Sequence, residues 1–465
     1  MTLFATVVYA IGILVLFALD REPKSRTSIA LWLPVLWLLI NASRPISVWL
    51  QVGPPQAANF DVEGSPLDRD IYLVLIAAGI FVLLSRQTAV VRVLQANLLL
   101  LLFLFYCAVS CSWSAYPSIA LKRWIKFLGD FMMVLIVLTD SERSPAVKRL
   151  LTRVGFVLVP LSILLIKYYP LMSRYYSLRE GKMFVSGVAE DKNMLGLTCL
   201  VFGLGAWWRL LGIWREKKGR DRSRRLIAHF IILGMVLWLF SLANSATSAS
   251  CFLAAGGLMT LISLFPAARK PLVVHLLVAA IVCSSFTVLF LDVGGGALQA
   301  MGRNPTLTGR TEIWKGLLDF TENPVFGTGF ESFWLGERVA KIWASGELLS
   351  GINESHNGYL ELFFNLGWIG IALLGAIIVR GYLGIFRAFR QDPPTHSLQL
   401  AFFTAALTYN FTEAAYKAMS PMWFVFLLAV VVVPNAPSII EGYDVSRRSA
   451  LGLKRPKENH ALAVG

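Results

Sequence analysis

The chain has 465 residues, of which 56% are hydrophobic and only 15% are charged, and its formal net charge is +15. Such an apolar composition excludes an ordinary soluble globular protein, which needs a more polar surface. In a membrane protein, basic loops on the cytoplasmic side account for the positive charge, so nucleic-acid binding is not indicated.

Apolar segments follow one another along most of the chain. A run such as NLLLLLFLFYCAV (97–109) lacks the alternation of a barrel strand and predicts a helix. At a spanning length of roughly 20 residues, about thirteen segments are candidates for crossing a bilayer. They lie near 3–19, 29–40, 71–84, 97–111, 127–139, 151–166, 194–211, 226–242, 249–265, 272–291, 359–379, 398–412 and 421–433. We therefore predict an all-α polytopic membrane protein with about 12–13 transmembrane helices.

The basic connectors predict the orientation of these helices. Lysine and arginine are concentrated in alternate connectors, of which REKKGRDRSRR (215–225) is the most basic. Placing these connectors in the cytoplasm requires strict alternation of the segments, and puts the N-terminus outside and the C-terminus inside. We predict four regions: an N-terminal transmembrane bundle (1–291), an outer loop subdomain with amphipathic helices (292–357), C-terminal transmembrane helices (358–433) and a basic cytoplasmic tail (434–465).

The outer loop contains one clear helical pattern. It opens with a flexible GGG connector (294–296), and TLTGRTEIWKGLLDF (306–320) then indicates an amphipathic helix. Ile313, Leu317 and Phe320 form one apolar stripe, and the following Asn-Pro pair ends the pattern.

Several cations lie on the predicted outer side, against the positive-inside trend. Lys122, Arg123, Lys192 and Arg310 each lie within a few residues of an apolar segment. A charge at this depth is costly and usually has a partner. A lipid diphosphate is a natural partner, because arginine binds phosphate oxygens bidentately. The alternative is that these side chains are ordinary solvated residues.

His356 is the only one of the five histidines that we predict to face outward, beside Asn357 at the start of an apolar segment. An ordinary histidine pKa of about 6.5 allows proton transfer near neutral pH. Near a bound diphosphate, this histidine could deprotonate a hydroxyl while the cations stabilise the departing phosphate charge. A lone histidine is, however, more often structural. The residues together indicate an outward-facing cavity for a lipid diphosphate, suited to base-assisted group transfer.

Two stretches carry a resemblance to a known family. GRTEIWKGLLDFTENPVFGTGFESF (309–333) and HNGYLELFFNLGWIGIALL (356–374) resemble the C-terminal signature of the O-antigen ligase and polymerase superfamily. Its pattern is an arginine four residues before a tryptophan, then NP, a GxG turn, HNxYLE and LGxxG. VAEDKNMLG (188–196) and ANSATSAS (243–250) resemble the exopolysaccharide-production, ExoQ-type branch of that superfamily.

The resemblance implies a membrane glycosyltransferase of the GT-C type, working without metal or other cofactor on the periplasmic face of the bacterial inner membrane. Its donor would be an undecaprenyl-diphosphate-linked oligosaccharide, and a chain-length regulator and other export proteins are expected partners. His356 would be the base that activates the acceptor hydroxyl, and Arg310 would clamp the donor diphosphate. The residues implied to line the same headgroup site are Lys192, Asn193, Lys122, Arg123 and Asn357.

We expect a polysaccharide polymerase that joins lipid-linked repeat units. The alternatives are an O-antigen ligase that transfers the glycan to lipid A core and, in another class, a transporter of lipid-linked sugars. One departure concerns the serine-rich turn, where many members carry an arginine and this chain has Ser245-Ala246-Thr247. A second diphosphate ligand is missing there, and Lys192 or Arg123 are the candidates to replace it.

Overall fold

The computed structural model describes residues 1–22, 27–52, 64–177, 181–290 and 306–434, without the side chains of 177, 288–290 and 306–309. The predicted connector 294–296 and nearly all of the predicted tail lie outside the described residues. The chain up to Val432 forms one compact unit.

The described residues form eighteen α-helices and one small sheet. The helices are α1 (Thr2–Leu19), α2 (Trp32–Asn41), α3 (Ile46–Trp49), α4 (Pro66–Ser85), α5 (Gln87–Ala96), α6 (Leu98–Ser110), α7 (Pro117–Leu138), α8 (Arg143–Tyr168), α9 (Pro170–Ser173), α10 (Lys192–Trp214), α11 (Arg220–Ala243), α12 (Ala246–Leu264), α13 (Pro271–Phe290), α14 (Thr306–Leu318), α15 (Glu337–Ala344), α16 (Gly358–Gln391), α17 (Pro393–Tyr409) and α18 (Pro421–Val430). The strands β1 (Arg174–Ser177) and β2 (Lys182–Val185) form an antiparallel hairpin between α9 and α10.

Each of the thirteen predicted apolar segments falls largely within a helix, which confirms the all-α polytopic class. Among the described residues, the helices α1, α8, α10, α11, α12 and α16 are long and apolar enough to cross a membrane. The helices α4 and α5 are bent by 97° relative to each other, and they make a seventh span if together they form one crossing. Other apolar helices are shorter, so the total number of crossings stays a prediction.

Helix α10 lies at the centre of the bundle, since 89% of its apolar stretch is buried, whereas α1 at the periphery is 11% buried. It packs against α8, α11, α12 and α17. Three glycines let neighbouring side chains approach α10 closely: Gly196 faces Ser245 and Ser248, Gly203 faces Val236 and Phe252, and Gly205 faces Leu151. The first half of this central helix is therefore closely packed against the rest of the bundle.

Helix α16 is broken at Gly367, whose φ is +63°. The turn 324–329 lies against the break and pairs with the backbone there: Thr328 N–H donates to Phe364 O (3.0 Å) and Trp368 N–H to Pro324 O (2.8 Å). Backbone polar groups must be satisfied this way wherever a helix is interrupted at membrane depth. The GxG and LGxxG motifs are thus two halves of one interlocked structure.

Part of the outer loop forms a small hydrophobic core with the first turns of α16. Its buried members are Ile313, Trp314, Leu317, Phe333, Ile342, Leu349, Ile352, Phe363 and Phe364, and Phe320 packs against them. The predicted amphipathic helix is confirmed as α14, with its predicted stripe facing this core. Packing of α14 fixes the position of Arg310 beside the start of α16.

Candidate active site

His356 stands immediately before α16 in an unusual backbone conformation. Asn357 caps the helix, because its side-chain oxygen accepts the N–H groups of Tyr359 (3.0 Å) and Leu360 (3.1 Å). His356 itself has a φ of +51°, in the left-handed region that residues other than glycine seldom adopt. Such strain persists only where the surrounding structure imposes it, and it is concentrated at functional sites.

The imidazole of His356 lies between two carboxylates. Its Nδ1 is 2.9 Å from Glu354 Oε1 and 3.6 Å from Glu413 Oε2. Neither contact has the alignment of a good hydrogen bond, so both are ion-pair contacts. Burial alone would lower the pKa of His356, but its interactions with Glu354 and Glu413 raise the pKa to about 9. At neutral pH the side chain is therefore an imidazolium.

Glu413 connects His356 to two other predicted site residues. Its Oε1 is 3.2 Å from the Arg310 guanidinium, and its Oε2 accepts the Asn193 side-chain amide at 3.3 Å. The Arg310 guanidinium also donates to the carbonyl of Thr412. Only 6% of the Glu413 side chain is exposed, so this carboxylate is a buried junction for three elements of the fold.

Lys417 completes the arrangement on the opposite side of His356. Its Nζ is 2.8 Å from Glu354 Oε2. Although burial would raise it, Lys417 and His356 hold the pKa of Glu354 well below its usual range. Positive and negative groups thus alternate along Lys417, Glu354, His356, Glu413 and Arg310, which we call the charged cluster.

The EDKN stretch places Asn193 in contact with this cluster. Asp191 caps α10 by accepting the N–H groups of Asn193 (2.7 Å) and Met194 (2.9 Å). The helix then directs Asn193 toward Glu413, whereas the Lys192 ammonium lies 3.7 Å from the ring centre of Phe184 on β2. Neighbouring residues of one motif therefore face different surroundings.

The remaining predicted site residues contact other groups. Arg123 donates to the backbone carbonyl of Glu331, and Lys122 is exposed on α7. The structure thus brings together His356, Arg310 and Asn193, with Asn357 as the helix cap beside them. The placement of Lys122, Arg123 and Lys192 in a headgroup site stays a prediction.

The serine-rich turn borders the charged cluster directly, since Thr247 Oγ1 is 2.8 Å from Thr412 Oγ1. The second cation in the cluster is Lys417, which the sequence analysis missed along with Glu354 and Glu413. Glu354 lies only two residues before His356, a spacing that could have drawn attention to it. No pattern in the sequence indicates that Lys417 belongs to the site.

Three donor atoms, from Glu354, His356 and Glu413, lie within 4.8 Å of one another, a spacing that a metal ion could use. Arg310 and Lys417 already neutralise the two carboxylates. The Arg310 guanidinium and the Lys417 ammonium would both repel a divalent cation placed there. The donor set therefore fits an internally balanced ion network better than a metal centre.

An apolar cavity of about 500 Å³ adjoins the cluster at Asn357. Its wall is formed by α14, the start of α16, the end of α13 and Phe411, which follows α17. The lining residues are Phe286, Thr311, Trp314, Lys315, Leu318, Asn357, Tyr359, Leu360 and Phe411. Charged groups and an apolar space of this size lie side by side, as an amphiphilic ligand requires.

Residues 233–375 match the family model described as O-antigen ligase. This stretch, which is less than half of the chain, is similar to that family. The matched range contains Arg310, Glu354 and His356 but ends before Glu413 and Lys417.

The chain is also 25% identical over 311 residues to the exopolysaccharide production protein ExoQ of Rhizobium meliloti, covering 64% of this chain and 67% of that protein. Together with the match of residues 233–375, this similarity confirms the resemblance predicted from the motifs. It also supports the coarse class of role expected from the sequence, an O-antigen ligase or polymerase type of enzyme in polysaccharide synthesis.

Proposed function

We propose that the protein is a polysaccharide polymerase of the bacterial inner membrane, which joins undecaprenyl-diphosphate-linked repeat units by glycosyl transfer on the periplasmic face. The observation that carries the proposal is the charged cluster, in which His356 and two cations share two carboxylates beside an apolar cavity. A lipid diphosphate has both the charge and the apolar chain to match this pairing.

In the proposed reaction, a hydroxyl of the acceptor sugar attacks the anomeric carbon of the donor sugar. The bond from that carbon to the diphosphate oxygen breaks, and undecaprenyl diphosphate leaves with the electron pair. His356, in its neutral form, takes the hydroxyl proton. Each turnover thus forms one glycosidic bond and leaves one proton on the imidazole.

Arg310 is the proposed clamp for the diphosphate. A guanidinium can bind phosphate oxygens through two parallel hydrogen bonds and offset the charge that develops on the leaving group. The first isoprene units of the donor would enter the adjoining apolar cavity. Because the protein supplies its own cations, the proposed transfer requires no metal.

A group of ion pairs at the C-terminal end of α10 supports the proposed orientation of the protein in the membrane. Arg209 pairs there with Asp20 (3.1 Å) and Glu22 (2.7 Å), and Arg225 also contacts Glu22. Asn193 and Arg209 are separated by roughly 24 Å at the helical rise of ~1.5 Å per residue. The most basic connector and the charged cluster therefore lie at opposite ends of the central helix, which supports a cytoplasmic and a periplasmic side.

A ligase is the second candidate function, because the matched domain is described as O-antigen ligase. Both candidates use the same chemistry and differ in the acceptor. The relative named for exopolysaccharide production supports the polymerase.

The proposal is tested with the purified protein in lipid nanodiscs, given a lipid-diphosphate-linked repeat unit. A ladder of products supports the polymerase, transfer only to added lipid A core supports the ligase, and no transfer to either acceptor overturns both. We expect H356A to lose activity by about 10²–10⁴-fold, the usual contribution of a positioned general base. R310A should be similarly impaired. The control is R69A, which removes an exposed arginine paired with Asp70 (2.9 Å) and should leave activity unchanged.

A further inference from the structure

The segment 410–420, between α17 and α18, carries two members of the charged cluster, Glu413 and Lys417. It is not helical, yet its backbone is fastened at both ends. At its start, the Asn410 side chain accepts the N–H groups of Ala415 (2.9 Å) and Tyr416 (3.1 Å). Gly358 N–H donates to the carbonyls of Asn410 and Glu413, which ties the segment to the beginning of α16.

At the other end of the segment, two carboxylates hold consecutive backbone amides. The N–H of Ala418 donates to Glu331 Oε1 at 2.6 Å, and the N–H of Met419 donates to Asp130 Oδ2 at 2.9 Å. Met419 and Glu331 have φ angles of +65° and +45°, which are unfavourable for these residues. Backbone strain persists only where the surrounding structure imposes it, and at this turn two carboxylates hold the consecutive amides.

Asp130 is fully buried within α7 and makes no ion pair among the described residues. Its other oxygen, Oδ1, accepts Trp37 Nε1–H (2.7 Å) and Asn41 Nδ2–H (3.2 Å), both on α2. Three donors thus fix both oxygens of this carboxylate. A buried carboxylate inside a membrane bundle is expensive and by default indicates a functional role.

We propose that Asp130 and Glu331 are positioning residues, which hold the turn at Ala418 and Met419 so that Lys417 stays against Glu354 beside His356. This inference rests on the proposed function for its catalytic meaning, but not for its geometry. Lys417 directly precedes the held turn, and its Nζ reaches Glu354 at 2.8 Å. Moving the turn would therefore detach Lys417, and Glu354 would then interact with His356 alone.

The geometry is tested by amine labelling of the intact protein, with the labelled lysines identified by mass spectrometry. The side chain of Lys417 is partly exposed, so an amine reagent can reach it, but Glu354 and other nearby carboxylates raise its pKa and labelling of the native protein should be slow. In D130N, the amide N–H faces either Met419 N–H, in which case one hydrogen bond is lost, or the two donors of α2, in which case two are lost. If the pKa of Lys417 falls by one unit, the fraction of its uncharged, reactive amine rises about tenfold. We expect the labelling rate of Lys417 in D130N to increase by about this factor.

Matched variants separate positioning from general damage. D140N replaces another buried carboxylate, that of Asp140 just after α7, which accepts a hydrogen bond from the Ser28 N–H. This variant should leave Lys417 labelling unchanged. E331A should behave like D130N. E331Q keeps an acceptor oxygen and should be labelled more slowly than E331A, but faster than the native protein because the Glu331 charge near Lys417 is lost. Lys148, which is half-buried over the ring of Trp208, serves as an internal standard, since unfolding would increase its labelling too. Unchanged Lys417 labelling in both D130N and E331A overturns the proposal, and E331A decides if D130N fails to insert.

The catalytic meaning is tested through the pH profile of glycosyl transfer. If Asp130 acts through Lys417, D130N and K417M shift the profile in the same direction and the double variant shifts it no further than K417M. Additive shifts would overturn the coupling. A native protein without any transfer activity would remove the proposed function, while the labelling result would still decide the positioning role.

Discussion

At the scale of single residues, the side chain of His356 is constrained by charge and its backbone by a left-handed φ of +51°. Glu354 and Glu413 hold a proton on the imidazole in the resting protein. A general base works only in its neutral form. The site therefore has to release a proton before the proposed reaction can begin.

Activity should consequently rise with pH and level off above about 9, the raised pKa of His356. In E354Q, the loss of a negative charge beside the imidazole lowers that pKa toward its ordinary value of about 6.5. The rise of activity should then occur at lower pH, as measured by transfer rates between pH 6 and 10 in one mixed buffer of constant ionic strength.

The control for this prediction is E322Q, which removes a carboxylate of the outer loop that pairs with Arg338. Its profile should coincide with that of the native protein. Activity that falls instead of rising toward pH 9 would contradict the role of His356 as a base, and would identify the imidazolium as the active form.

At the scale of elements, the break at Gly367 divides α16 into a short first part and a longer second part. The position of the short first part determines the position of His356, which directly precedes the helix cap. The left-handed Gly367 lies against the Val325 carbonyl, and a Cβ there would collide with it. The break and the turn 324–329 thus depend on each other, and both pack beneath the outer-loop core.

Gly367→Ala should destabilise the protein by about 1–3 kcal/mol, the usual range for a strained non-glycine conformation. It should also reduce activity by displacing the start of α16. Gly375→Ala is the matched control on the same helix, since a Cβ at Gly375 meets nothing within 4 Å. The melting temperature in detergent checks both variants, and equal values would contradict the interlocked break.

At the scale of the whole molecule, the predicted topology requires the outer loop and the connector 215–225 to face opposite sides. In a C283S background, which removes an exposed cysteine, S350C should react in spheroplasts with a membrane-impermeant thiol reagent. K218C should react only after the membrane is permeabilised. Labelling of both positions from the same side would overturn the periplasmic orientation.

Most helices of this molecule could be predicted from the sequence, because apolar runs of sufficient length have few alternatives to a helix in a bilayer. Arg310 and His356 could also be proposed from their positions near predicted helix ends, and Asn193 from the resemblance of its motif. Glu413 and Lys417 could not be assigned, because they meet His356 only through a non-helical segment far along the chain. The shape of this segment depends on hydrogen bonds to Asn410, Glu331 and Asp130. Hydropathy does not predict hydrogen bonds between residues that are distant in the sequence.

The pairing of Arg310 with Glu413 has a consequence for turnover. In the proposed cycle, the donor diphosphate takes over the guanidinium from a carboxylate that belongs to the protein, and this carboxylate returns when the diphosphate departs. Arg310 thus exchanges one counter-ion for another and is never left as a bare buried cation. This internal competitor would weaken retention of the spent lipid carrier, and an enzyme that repeats the same transfer many times has to release that carrier after every round.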